Sequence, residues 1–155
     1  MTRIWAILLT ILGGTALAQT PGERLMPFAL QDQFEQTARL TDTTKLVLVA
    51  SSRAAAGIVD EAIKDQPKGY LEARHALYVA DVSQMPSFIT SWFLVPSMRS
   101  ANYRILLDWD SSVAPDHLGQ DGKVLWLQLN QREILEQQTF TSATALREAL
   151  ERQMP

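Results

Sequence analysis

Lys45-Leu46-Val47-Leu48-Val49-Ala50-Ser51, running on into Ser52-Arg53-Ala54-Ala55-Ala56-Gly57, is the stretch on which the fold turns. An unbroken, β-branched apolar run of this length fits a strand buried on both faces, as at the centre of a parallel or mixed sheet. The period then changes. Ala55, Ile58, Val59, Ala62 and Ile63 recur at helical spacing with Asp60, Glu61 and Lys64 opposite, and Pro67 and Gly69 stop the pattern. A helix is therefore expected over Ala54 to Gln66.

Toward the C-terminus, Ala76 to Val82 reads as a second buried strand and Tyr103 to Trp109 as a third. Between them a helical stretch opens at Met85-Pro86-Ser87, and Phe88, Ile89, Trp92 and Phe93 make one strongly apolar stripe on it. Such a stripe is more often core than interface. If exposed, it becomes a partner surface, because Trp, Phe and Met are enriched there; Trp109 and Trp126 share that ambiguity. Pro96 is expected to kink or split the helix, since proline lacks a backbone donor and clashes with the preceding turn. Ser111 to Lys123 is a loop by composition. Val124 to Leu129 and Glu133 to Phe140 flank Asn130-Gln131-Arg132 as a β-hairpin, and a last helix starts near Ser142, with Thr141 or Ser142 as its cap. Upstream of the central run, Phe28-Ala29-Leu30 and Thr37 to Leu40 read as two short strands around an Asp32-Gln33-Phe34-Glu35 turn. The order predicts an α/β fold with a mixed sheet, crossover helices and a C-terminal hairpin and helix.

The first eighteen residues read as a cleavable secretory signal: Arg3, an apolar Ile4–Leu12 core, Gly13-Gly14, and small residues at the first and third places of Ala16-Leu17-Ala18. The core is half the length of about 20 residues that a membrane span needs. Cleavage after Ala18 leaves residues 19–155 as one expected domain, with no membrane span and a periplasmic destination of Gram-negative style. A formal net charge of −3 without basic runs excludes a nucleic-acid partner and a polybasic grip on lipid. Cysteine is absent throughout. In an oxidising compartment the domain must hold by packing alone, and it cannot perform thiol chemistry.

This layout, with Leu46–Ala50 leading through a short loop into a helix and a terminal hairpin plus helix, resembles the thioredoxin-like superfamily over roughly Phe28 to Leu150. The similar branch is the periplasmic one with an N-terminal strand extension, the TlpA/ResA type and the cysteine-less YtfJ-like proteins. The resemblance implies a three-layer sandwich with its working loops at the edge where Ser51–Ala56 meets the Met85-Pro86 turn. It places the family's two redox cysteines at Ala54 and Gly57, so disulfide reductase, isomerase and peroxidase roles fall away. It also places a proline just before the penultimate antiparallel strand, where this chain has Gly122-Lys123.

The other chemistry-bearing residues give weaker patterns. Ser51 or Ser52 with His75 and Asp81 supplies the residue types of a nucleophilic triad without its Gly-x-Ser-x-Gly elbow; the plainer reading is capping serines and an exposed histidine. Asp108-Trp109-Asp110-Ser111-Ser112 begins like a calcium loop, with Asp116, His117 and Asp121 beyond it, but Val113 and Gly119 occupy the places of the required Gly and Glu. Ser51, Ser52 and Arg53 at a helix N-terminus could hold a small anion. The expectation is thus a non-catalytic, exported module, needing no cofactor, that binds an envelope protein or peptide through Ser51, Ser52, Arg53, Met85 and Pro86. The alternative is a periplasmic protein binding a small anion or a divalent ion.

Overall fold

The computed structural model describes residues 22–154; the expected signal segment Met1–Ala18 lies outside the described residues. The central run forms strand β3 (Leu46–Ala50), each residue at most 2 % exposed. A strand this deeply buried needs hydrogen-bonding neighbours on both edges and cover on both faces. β4 (Ala76–Asp81) pairs parallel to it on one edge and β6 (Val124–Asn130) antiparallel on the other. β5 (Leu106–Asp108) lies parallel outside β4, and β7 (Glu133–Phe140) antiparallel outside β6, giving the order β5-β4-β3-β6-β7. The β6–β7 connection holds Gln131 at φ 48° and Arg132 at φ 66°. Two consecutive left-handed residues give the turn a twist that matches the strands it joins.

Alternation along the strands divides the core. On one face Leu46, Leu48 and Ala50 meet Ala55, Val59 and Ala62 of α1 (Arg53–Ile63) and Leu146 and Leu150 of α4 (Ala143–Arg152). Both helices have the serine caps their sequences promise: Ser52 accepts the Ala55 amide at 3.1 Å and Ser142 that of Ala145 at 3.3 Å. On the other face Val47, Val49, Leu125 and Leu127 are covered by Leu25, Leu40, Val113 and Ala114. The third layer is therefore built from the N-terminal segment, the hairpin of β1 (Ala29–Gln31) and β2 (Thr37–Arg39), and part of the late loop.

Three expectations need correction. β5 is shorter than the strand read from Tyr103 to Trp109 because a side chain takes over its start. Gln33, wholly buried, donates from Nε2 to the Tyr103 carbonyl at 2.8 Å and accepts the Ile105 amide on Oε1 at 2.9 Å. Pro96 does not split its helix. α2 (Ser87–Ile89), a widened turn (Thr90–Leu94) and α3 (Val95–Met98) follow one another without a break, and Val95 N–H donates five residues back to Thr90. The wide turn sits immediately before the proline, which can neither donate nor tolerate the carbonyl four residues earlier.

The apolar stripe is not core. Phe88, Trp92 and Phe93 are 62 %, 78 % and 68 % exposed. The run meets the core through Thr90, Leu94, Val95 and Met98 instead, because it lies beyond the strand ends and only that side reaches the packed interior. Trp109 is also partly exposed, whereas Trp126 is buried against Phe140 with ring centroids 5.5 Å apart.

Replacing Gln33 by Ala would strand the Ile105 amide and the Tyr103 carbonyl without partners. At about 1–3 kcal/mol for each buried group left unsatisfied, a loss of roughly 2–4 kcal/mol is expected in urea unfolding. A change under about 0.5 kcal/mol would mean that water replaces the side chain there.

Candidate functional site

The three parallel strands end together, and the chain leaving them builds the site. β3 runs through Ser51 and Ser52 into α1; β4 runs through Val82 to Met85 into α2; β5 runs into the long loop ending at Lys123. Between the start of α1 and the α2–α3 run lies a cavity of about 640 Å³. Ser51, Ser52 and Arg53 line it from one side and Asp81, Gln84 and Met85 from another. Its apolar wall comes from Ile89, Phe93, Leu94 and Met98. Four of the five residues expected from sequence thus share one cavity. Pro86 stands beside it at the foot of the helix, its carbonyl accepting the Thr90 amide at 3.1 Å.

The small polar groups at the mouth are largely committed. Ser52 Oγ accepts both the Ala55 amide and, at 3.2 Å, the Gly122 amide, which ties the late loop to the start of α1. Ser51 Oγ donates to the His117 carbonyl at 3.4 Å. Arg53 is exposed. A capped N-terminus of this kind has already satisfied part of its amide demand, which weakens the anion-site reading.

His75 cannot join Ser51. It precedes the first residue of β4, while Ser51 follows the last residue of the parallel β3, which puts roughly 20 Å of strand between them. His117 is the histidine that reaches this edge, and it is buried, not solvated as a loop composition suggests. Its Nε2 lies 3.0 Å from the Lys123 carbonyl, so the ring carries its proton on Nε2. Burial pushes the imidazole below its ordinary value; the Lys123 carbonyl and the negative charge of Asp81 oppose this without overcoming it.

The two carboxylates at the strand ends differ sharply. Asp108 is 1 % exposed and fully employed: Oδ1 accepts the Asp110 and Ser112 amides and the Ser112 hydroxyl, and Oδ2 the Val113 amide at 2.9 Å. The stretch that resembles a calcium loop is therefore a turn wound around its own aspartate. Among the described residues no group of three or more His, Asp or Glu is placed to hold a metal ion. Asp81, its neighbour in register on β4, is 7 % exposed and only half employed. Oδ1 accepts the Ser83 amide and hydroxyl at 3.0 and 2.7 Å, while Oδ2 is buried without a partner. In the sequence Asp81 stands out only as a triad candidate, and the pattern Ala80-Asp81-Val82 gives no sign of an unsatisfied oxygen.

Ala54 and Gly57, where the resemblance places thiols, are both exposed on α1. Comparison with solved structures settles the architecture. The chain matches peroxidoxin BcpB from Mycobacterium tuberculosis with TM-score 0.56 and 18 % identity, covering 89 % of this chain and 99 % of that one. It matches a putative thiol:disulfide interchange protein DsbE from Chlorobium tepidum with TM-score 0.56 and 17 % identity, covering 88 % and 96 %. The thioredoxin domain of a thiol-disulfide oxidoreductase from Bacteroides vulgatus matches with TM-score 0.57 and 11 % identity, covering 89 % and 100 %. The fold is thioredoxin-like. No family model and no curated protein matches the sequence, so the likeness speaks for the fold alone.

The thioredoxin-like frame that buries His117 makes its stability depend on pH. Above about pH 6.5, the ring's ordinary value, it is neutral whether the chain is folded or not, and contributes no pH dependence. Below that value the unfolded chain takes up the proton first, so stability falls with pH until the folded ring also titrates. Urea unfolding between pH 7 and pH 5 is expected to show this loss in the wild type and a smaller one in His117→Gln. Equal slopes in the two proteins would mean that the ring titrates as if in water.

Proposed function

We propose that this chain is an exported, cysteine-free thioredoxin-like module that binds a protein or peptide partner in the cell envelope. The observation that carries this reading is the 640 Å³ cavity at the strand ends, with Phe88, Trp92 and Phe93 exposed beside it. From Val82 to Met98 the sequence contains no charged residue. Solvent-exposed aromatic side chains on an uncharged helix are costly to solubility and are characteristic of surfaces that become covered. A concave, largely apolar pocket with a few polar groups is the usual form of a recognition site, and the ends of parallel strands are its usual place.

Absence of cysteine from the chain removes the thiol step for which its structural neighbours are named. The family's peptide groove is not carried over, since Gly122-Lys123 stands where its proline would be, and the reading rests on this chain's own cavity. Export is supported by the signal-like start. Among the described residues no helix is long and apolar enough to cross a membrane.

Two measurements test the reading. Peptides selected from a random library on the wild-type surface should bind Phe93→Ala at least tenfold more weakly, a loss of about 1.4 kcal/mol. Because Phe93 is 68 % exposed, its unfolding free energy should move by no more than about 0.5 kcal/mol. Selected peptides that bind the variant equally well would place recognition elsewhere. Separately, full-length protein expressed in a Gram-negative host should be recovered from the periplasm with Gln19 as its N-terminus by mass spectrometry. Recovery of Met1-containing protein in the cytoplasm would overturn the export proposal.

A further inference from the structure

The cavity holds one group that its apolar walls do not explain. Asp81 lines it, is 7 % exposed, and leaves Oδ2 buried with no hydrogen bond. A carboxylate oxygen taken out of water without a donor is among the least favourable arrangements a fold can hold. The other buried acid at this edge shows what the fold does when an aspartate is merely structural: Asp108 is bonded through both oxygens. Among the described residues no Lys or Arg pairs with Asp81. Arg53 is exposed at the rim, Lys123 is exposed, and the His117 ring directs its proton to the Lys123 carbonyl.

The apolar part of the lining is aliphatic, thioether and, at Phe93, aromatic: Val82, Met85, Ile89, Phe93, Leu94 and Met98. Apolar walls that include two flexible methionines suit a methylene chain, and a buried anion at its end suits a cation that can shed its water. We propose that the cavity receives a lysine-like side chain of the partner, its aliphatic stem against Met85, Ile89 and Met98 and its ammonium at the carboxylate of Asp81. Arg53, exposed at the mouth, then meets the carbonyl oxygens of the partner's backbone instead of competing for the acid. The inference rests on the cavity being the binding site and adds the chemistry of what enters it.

Three six-carbon probes separate the alternatives: n-hexylammonium, 1-hexanol and hexanoate, titrated at pH 7 and followed by the methyl NMR signals of Met85 and Met98. In the wild type, hexylammonium should bind at least tenfold more tightly than hexanol, with hexanoate weakest. In Asp81→Asn the alcohol should still bind while the ammonium's advantage falls below threefold. A wild-type ratio already below threefold, or an advantage that survives in Asp81→Asn, overturns the lysine-like ligand and leaves the cavity's role as a binding groove intact. If no probe shifts either methionine signal, the groove reading itself fails and the inference with it. Should Asp81→Asn not fold, Asp81→Ser replaces it and is read against the same threefold threshold.

Discussion

Burial of β3 on every side is the constraint from which the rest of this structure follows. Five consecutive residues lie at most 2 % exposed, so their amides and carbonyls must be paired by strands on both edges and their side chains covered on both faces. Neither neighbour suffices alone. The parallel partner requires a crossover, which α1 provides, and the antiparallel partner brings the C-terminal hairpin and α4. With no cysteine available for a crosslink, packing and hydrogen bonds such as those of Gln33 hold the layers together.

That constraint also creates the site. Parallel strands that stop together leave an edge where the chain must turn into helices, and here the turns after β3 and β4 lie on either side of a cavity. The edge treats its polar groups unequally. Asp108 and Ser52 are each drawn into several hydrogen bonds that shape loops, and their energies belong to stability. Asp81 and the aromatic face of the α2–α3 run are left incomplete. Groups whose needs the fold has not met are the natural place to look for what an outside partner supplies.

Much of the frame was legible in advance because its signals are local. A β-branched run reads as a buried strand, the Ala55-Val59-Ala62-Ile63 spacing as a helix face, and Ser52 and Ser142 as caps, since each depends on residues within a turn or two of one another. The expected group Ser51, Ser52, Arg53 and Met85 came together for the same reason: strand ends in a sheet of this order must neighbour one another. Misreadings arose wherever the deciding partner was distant. Gln33 shortens β5 from about seventy residues away, and neither segment hints at the other. The aromatic stripe has the periodicity of a core helix, but a period says that one side differs from the other, not which side is covered.

The sequence by itself determined the order of strands and helices, the central strand, the helix caps, the exclusion of thiol chemistry and a signal-like beginning. All of these are properties of short stretches or of composition, where backbone preference and side-chain chemistry act on their own. Only the tertiary structure decided that Phe88, Trp92 and Phe93 face outward, that His117 and not His75 reaches the strand ends, and that one of two adjacent aspartates keeps an oxygen without a donor. Exposure and hydrogen-bond satisfaction are relations between segments far apart in the chain, and they exist only once the sheet has brought those segments together.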